Sequence, residues 1–229
     1  NAWRVEQIYT AEGRSMTDLV LIGATGHLQS VMDSILARGC YRVAHIVDDN
    51  TAGREFFGQY VEGATDLLPE FYARGARHAF VSAGAIGGYG NREKWYQLAR
   101  RTGFEIVNII DPSAAVSPHA KLGEGVFIGK NAVVNAYARI GNMVIVNTGS
   151  IVEHADVLED FVHIAPGCTL SGGVRVCRGA HVGAGSVVRQ DIVIGAESLI
   201  GIGSVVVRDI APRMVAYGNP CKEQHPLEI

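Results

Sequence analysis

"VNTGSIVEHADVLEDFVHIAPGCTL", Val146 to Leu170, sets Val146, Val152, Leu158, Ile164 and Leu170 six residues apart. Stepping by six in both directions, the series runs from Val116 to Val206. All sixteen positions are Val, Ile or Leu. Those three types fill roughly a quarter of an average sequence, so chance does not produce such a run. Four positions after the aliphatic residue the side chain is mostly small, as at Ala132, Ala138, Ser150, Cys168, Ala180, Ser186, Ser198 and Ser204. Because six is even, strand alternation keeps the aliphatic and the small position on one inward face. Short strands separated by turns and coiled on themselves make a hexapeptide-repeat β-helix.

The chain ahead of this repeat keeps a different period. "LVLI" (Leu19 to Ile22) reads as a buried parallel strand ending at Gly23. Leu28, Val31, Met32, Ile35 and Leu36 follow at helical spacing, with Gly39 as the C-terminal cap. "VAHIV" before Asp48, "AFVSA" (Ala79 to Ala83) and "EIVNII" (Glu105 to Ile110) supply three more strands, and a helix carrying Trp95, Leu98 and Ala99 lies between the last two. This is a small Rossmann-like α/β sheet, which takes ligands at the carboxyl ends of its strands. The expected organisation is a tail or expression remnant over 1–16, the α/β domain over 17–112, the β-helix over 113–212 and a C-terminal segment over 213–229.

With 48% hydrophobic and 19% charged residues the chain reads as globular. A formal net charge of −3 without a basic cluster argues against a nucleic-acid partner. Apolar runs such as "VLIGA" are too short to span a bilayer, so no membrane partner is expected. Cys40, Cys168, Cys177 and Cys221 show no metal-type spacing, and "NAWRVEQIYTAEGRSM" has no apolar secretory core. Reduced thiols and a cytoplasmic location are the expectation.

Several residues invite chemistry. In "GATGH", Gly23 to His27, glycines between strand and helix let phosphate or ribose approach the helix N-terminus, although such a turn also needs glycine structurally. It is not the full dinucleotide fingerprint, so nicotinamide chemistry is not expected. Asp48 and Asp49, at a strand's carboxyl end, can accept hydrogen bonds from a ribose or base, or simply form a solvated turn. His154 stands two residues after inward-facing Val152, at a turn, so its imidazole projects outward as a proton acceptor. Asp156 falls on the small inward face, an odd place for a charge. His181 follows His163 by eighteen residues and should stack beside it.

With these marks ("GATGH", "VDD", "VNTGSIVEH", "VHIAPG" and "AYGNPCK") the chain from Leu19 to Lys222 resembles the hexapeptide-repeat acyltransferases. More narrowly it is similar to the bacterial sugar-nucleotide N-acetyltransferases acting on UDP-4-amino sugars or GDP-perosamine, and to sialic acid O-acetyltransferases. The resemblance implies a left-handed β-helix of three hexads per coil, a homotrimer, and acetyl-CoA as co-substrate. It implies transfer of acetyl to the amino group of a nucleotide-linked amino sugar. Sugar O-acetylation, or a scaffold that binds the sugar nucleotide without chemistry, are the alternatives. By position in the family, Thr25, Gly26, His27 and Gly84 contact the sugar nucleotide, with Asp48 and Asp49 beside them. His154 is the general base, His163 contacts acetyl-CoA, and Ala184 and Ile202 offer backbone contacts to the pantetheine arm. The Gly172 N–H, one coil after His154, faces the thioester oxygen. Asn147 orients substrate or base.

Two departures stand out. The family carries a carboxylate after the base, where this chain has Ala155, so either Asp156 or Glu153 supplies the polarisation. "AIGGYGNR" after Ala83 is longer than the family's turn. Some hexapeptide β-helices are zinc hydro-lyases that bind metal through three histidines between subunits. The histidine spacings of nine and eighteen do not fit that pattern, and no metal is expected.

Overall fold

In a computed structural model, residues 16–84 and 86–228 are described. The expected tail over 1–16 therefore lies, except for Met16, outside the described residues. The α/β domain is a four-stranded parallel sheet in the order β2-β1-β5-β6, with β1 Thr17–Ile22, β2 Tyr41–Val47, β5 His78–Val81 and β6 Glu105–Ile106. A hairpin of β3 (Glu55–Phe56) and β4 (Gln59–Tyr60) follows β2. Helix α1 (His27–Arg38) ends on Gly39, which takes the left-handed conformation at φ 66°. Of the expected apolar stripe, Leu28, Val31, Met32 and Ile35 are buried while Leu36 stays exposed at the rim. Helices α2 (Leu68–Ala73) and α3 (Gly90–Thr102) cover the opposite face of the sheet, where Leu68, Phe71, Trp95 and Ala99 share a core with Val20, Ile22 and Val81.

"EIVNII", read as one strand, is two. Glu105–Ile106 pairs with β5, whereas Ile109–Ile110 pairs with Phe127–Ile128 of the solenoid. The break falls at Asn108, whose amide donates to Gly123 O at 2.8 Å and whose carbonyl accepts Val126 N at 2.9 Å. The side chain takes over the ladder, and the chain changes sheets.

From there the backbone forms a left-handed parallel β-helix of about six turns. Two-residue strands lie on three faces, each paired in parallel with the strand eighteen residues later. The first face carries Ile145–Val146, His163–Ile164 and His181–Val182, the second Ile151–Val152 and Thr169–Leu170, the third Val157–Leu158 and Arg175–Val176. Fourteen of the sixteen aliphatic positions are buried, Val116 and Leu122 at the open first coil being the partly covered ones. The hairpin Met214–Gly218 with Cys221–Pro226 closes the far end of the first face.

The two parts share cores. Phe127 and Ile145, pointing outward from the first face, pack with Leu28, Val31 and Phe80. The long turn after β5 is pinned to the solenoid: Tyr89 stacks on Phe161 at 5.0 Å, and the Arg178 guanidinium covers both rings. Arg178 also donates to Glu93 at 2.6 Å. A Cβ on Gly179 would overlap the Tyr89 ring, so glycine is required beneath it.

Ile164, fully buried, sits between Val146 and Val182 in the first-face column. Ile164→Ala leaves a cavity that two rigid rungs cannot fill, at a cost of about 2–5 kcal/mol. The expected outcome is a lower guanidinium denaturation midpoint, and an unchanged one would contradict the packing described.

Candidate active site

Two clusters emerge. The first lies where the carboxyl ends of β1 and β5 meet the first face, around a cavity of about 600 Å³ lined by Thr25, His27, Gly84, Asn147, Thr148 and His163, among others. Gly23 opens the turn at φ 95°, and a Cβ there would lie 2.8 Å from that of Ala83. Gly26 is the N-cap of α1, and Thr25 O accepts Leu28 N at 3.0 Å. Gly84 faces His27, whose ring meets Phe127 edge-on at 4.9 Å. Burial, helped by the nearby Arg92 charge, lowers the His27 pKa to about 4, so this imidazole is neutral at physiological pH. Its buried Nε2 has no hydrogen-bond partner among the described residues.

His163 stands 6.4 Å from His27, and its ring meets His181 edge-on at 4.6 Å, as the eighteen-residue spacing requires. Asn147 belongs here rather than beside His154: its Nδ2 lies 3.4 Å from His163 Nε2, and its Oδ1 accepts Thr148 N at 2.8 Å. Thr148, Pro166, Ala184 and Ile202 follow at steps of eighteen up the same corner. The N–H groups of Ala184 and Ile202 make no hydrogen bond within the described residues. Thr148 and Pro166 were not singled out in the sequence, although the coil period places them directly below Ala184.

Asp48 and Asp49 have protein partners. Asp48, buried, accepts Ala24 N and Asn50 N at 2.8 Å each and so ties "GATGH" to the end of β2. Asp49 accepts Thr65 N, Thr65 Oγ1 and Trp95 Nε1. Opposed by partial burial, these bonds and the Lys94 charge hold its carboxyl below the usual range.

The second cluster is at the corner between the second and third faces, opposite the first face. His154 and Ala155 form the turn, Ala155 at φ 61°, and both are exposed. The His154 ring lies across Gly172 of the next coil: a Cβ there would stand 2.5 Å from Cε1 and 2.6 Å from Nε2. The Gly172 N–H has no partner within the described residues. Neither carboxylate considered as a polarising group bonds to the ring. Glu153 accepts the backbone N–H of His154 at 3.1 Å, while Asp156, fully buried, accepts Glu153 N and Val174 N at 2.8 Å each. Burial pushes the Asp156 carboxyl up to about 7 against the pull of these bonds. His154 and His163, nine residues apart in sequence, are thus not brought together within one chain. No group of three or more His, Cys, Asp or Glu residues that could hold a metal ion occurs among the described residues, and no described helix is long and apolar enough to cross a membrane.

Residues 18–99 match the family model described as the PglD N-terminal domain. Among solved structures, the chain is similar to GDP-perosamine N-acetyltransferase from Caulobacter crescentus, solved with CoA and GDP-perosamine as a histidine-to-alanine variant. The identity is 38% and the TM-score 0.86, over 92% of this chain and 98% of that one. The chain belongs to the hexapeptide-repeat sugar acetyltransferases. The acetyltransferase domain of PglB from Neisseria gonorrhoeae FA1090, solved with acetyl coenzyme A, is 34% identical with a TM-score of 0.82, over 92% of this chain and all of that one. WeeI from Acinetobacter baumannii AYE, at 22% identity and TM-score 0.78 over 92% of this chain and all of that one, shares the fold. No curated protein matches the chain significantly.

Two outcomes are expected. Gly172→Ala should displace the His154 ring and lower kcat for acetyl transfer about tenfold or more with little change in melting temperature, and full turnover would show that the ring's seat is dispensable. For Asp156, a folded-state pKa raised from 3.8 to about 7 means that the native state holds the extra proton between those values. Its stabilising contribution is complete below the unfolded value and is lost as pH rises through about 7. Asp156→Asn should flatten this part of the melting-temperature profile, and an unaltered slope would refute it.

Proposed function

We propose that this protein transfers the acetyl group of acetyl-CoA to the amino group of a nucleotide-linked amino sugar, with His154 as general base. The observation that carries the reading is the exposed His154 ring laid on Gly172, whose N–H has no partner among the described residues. The amine nitrogen attacks the thioester carbonyl while His154 takes its proton. The Gly172 N–H stabilises the oxyanion of the tetrahedral intermediate, and the CoA thiolate leaves and is protonated. The packing of the ring does the orienting that the family assigns to a following carboxylate.

The cavity beside Thr25, His27 and Gly84 receives the sugar nucleotide. The column of His163, Ala184 and Ile202 receives acetyl-CoA, through the imidazole and two backbone N–H groups that make no hydrogen bond among the described residues. Because the His154 corner is opposite the first face, the reading requires a homotrimer in which His154 of one copy faces His163 of the next. The Caulobacter neighbour holds CoA and GDP-perosamine together, which supports this pairing of ligand classes.

The test is thiol release from acetyl-CoA with GDP-perosamine and with a UDP-4-amino-4,6-dideoxy sugar, against sialic acid as the O-acetylation rival. His154→Ala should lower kcat about a hundredfold to ten-thousandfold. His163→Ala should chiefly raise KM for acetyl-CoA, because it removes binding common to ground and transition states. A monomer in sedimentation, or near-full turnover of His154→Ala at saturating substrate, would overturn the mechanism.

A further inference from the structure

From Ala120 to Ser204 the inward small position of the repeat carries one carboxyl group, Asp156, among alanines, serines, valines, Cys168 and Ile192. Serine is the usual polar residue there, and it donates to a carbonyl: Ser150 Oγ to Ala165 O and Ser198 Oγ to Ala211 O, both at 2.8 Å. A carboxylate has nothing to donate and must instead collect N–H groups. Asp156 is fully buried, and it collects them from the backbone of the His154 corner.

Both donors are drawn from bonds that the solenoid makes elsewhere. The residue after the inward aliphatic one donates its N–H to the next coil, as Asn135 does to Val152 O at 2.9 Å and Ser171 to Val188 O at 3.0 Å. Glu153 holds that place, but its N–H turns inward to Asp156 Oδ2 at 2.8 Å. The N–H at the small position closes its own turn, as Ser150 does to Asn147 O and Ala180 to Cys177 O, both at 3.1 Å. Val174 holds that place one coil after Asp156, but its N–H goes to Asp156 Oδ1 at 2.8 Å. The two oxygens of one buried carboxyl therefore bridge the peptide ahead of His154 to the turn that carries Gly172. Between them His154 O accepts Gly173 N at 3.1 Å, and Ala155 N donates to Ala136 O at 3.1 Å. The backbone on both sides of His154 is held while its ring lies on Gly172.

A buried carboxylate is a costly way to fix a turn, and burial pushes this one up to about 7. Serine, used at Ser150, Ser186, Ser198 and Ser204, carries no such cost. The cost falls at the corner where an imidazole and the Gly172 N–H must keep their places relative to each other. Resting on the reading of His154 as the base, we propose that Asp156 is its positioning residue: the bridge sets the imidazole and the Gly172 N–H at one fixed separation around the reacting carbonyl. Where the family carries a carboxylate this chain has Ala155, and the carboxyl two residues after the base acts through the backbone instead.

The test measures thiol release from acetyl-CoA with the same two amino-sugar nucleotides at pH 8, where the carboxyl is ionised and both oxygens accept. It compares wild type, Asp156→Ser, Asp156→Asn, His154→Ala and the double variant of His154→Ala with Asp156→Ser. A serine oxygen can hold one of the two donors, as Ser186 Oγ accepts Ser204 N at 3.2 Å, but it cannot bridge both. Asparagine keeps the shape of the side chain and turns an amide donor toward one of them. Both single variants should lower kcat about tenfold to a hundredfold with KM for either substrate unchanged. Asp156→Ser should also melt no lower than wild type. On the His154→Ala background, Asp156→Ser should lower kcat no further, because no base remains to be placed. The proposal is overturned, with the acetyltransferase reading intact, by an unchanged kcat in Asp156→Ser or by a fall in its kcat only alongside its melting temperature. Recovery of kcat in Asp156→Asn, or losses that multiply in the double variant, would overturn it equally. A His154→Ala enzyme with near-full turnover would instead overturn the reading of the base, and the positioning role with it.

Discussion

Each strand of the β-helix bonds to the strand eighteen residues later, and that register determines what every other residue of the solenoid can touch. It stacks Val146, Ile164 and Val182 into one interior column. It also puts His163 on His181, His154 on Gly172 and Ala155 on Tyr137. A slip of one residue would turn the aliphatic series to solvent, so the register is held by the whole buried core rather than by any single bond. The geometry of this corner is inherited from core packing, and on the proposed reading a residue as plain as Gly172 matters as much as the histidine lying on it.

The histidines divide by environment. His27 is packed edge-on to Phe127 and kept neutral by burial. It can line a substrate cavity but does not carry charge at physiological pH. His163 lies within a rung, held between Asn147 and His181. Only His154 among the three stands at an exposed corner, its orientation set by the surface of a glycine. A proton acceptor must be reachable by the group it deprotonates, and a cofactor-placing group is better held rigid. The positions suit those two tasks.

The six-residue period made the solenoid, its inward face and the stacking of His163 on His181 legible, because each follows from parity and an eighteen-residue step. A second feature keeps the same period. The third residue after the aliphatic one takes a positive φ at corner after corner, filled by glycine at Gly125, Gly149, Gly167, Gly173, Gly179, Gly185 and Gly203 and by Asn131, Tyr137, Met143, Ala155, Phe161, Asp191 and Glu197 elsewhere. Mixed side chains hid a purely conformational requirement. The break at Asn108 and the seating of Tyr89 on Gly179 were not readable, since both are contacts between segments far apart in sequence. Sequence distance sets Asn147 close to His154, whereas it stands on the neighbouring corner, beside His163.

A solenoid whose interior is filled with aliphatic side chains has no room for a ligand inside, so ligands must bind on its outer surface. The α/β domain supplies one wall, along the first face, where the strand-end cavity reaches His163. The His154 corner, opposite that face, has no wall among the described residues. A triangular coil has three corners and three faces, and each corner is opposite one face. Three-fold assembly can bring the bare corner of one copy against the first face of the next, all three times alike, and so close a cleft around both histidines. On the proposed reading, the same triangular section that separates His154 from His163 within a chain is what allows a trimer to unite them.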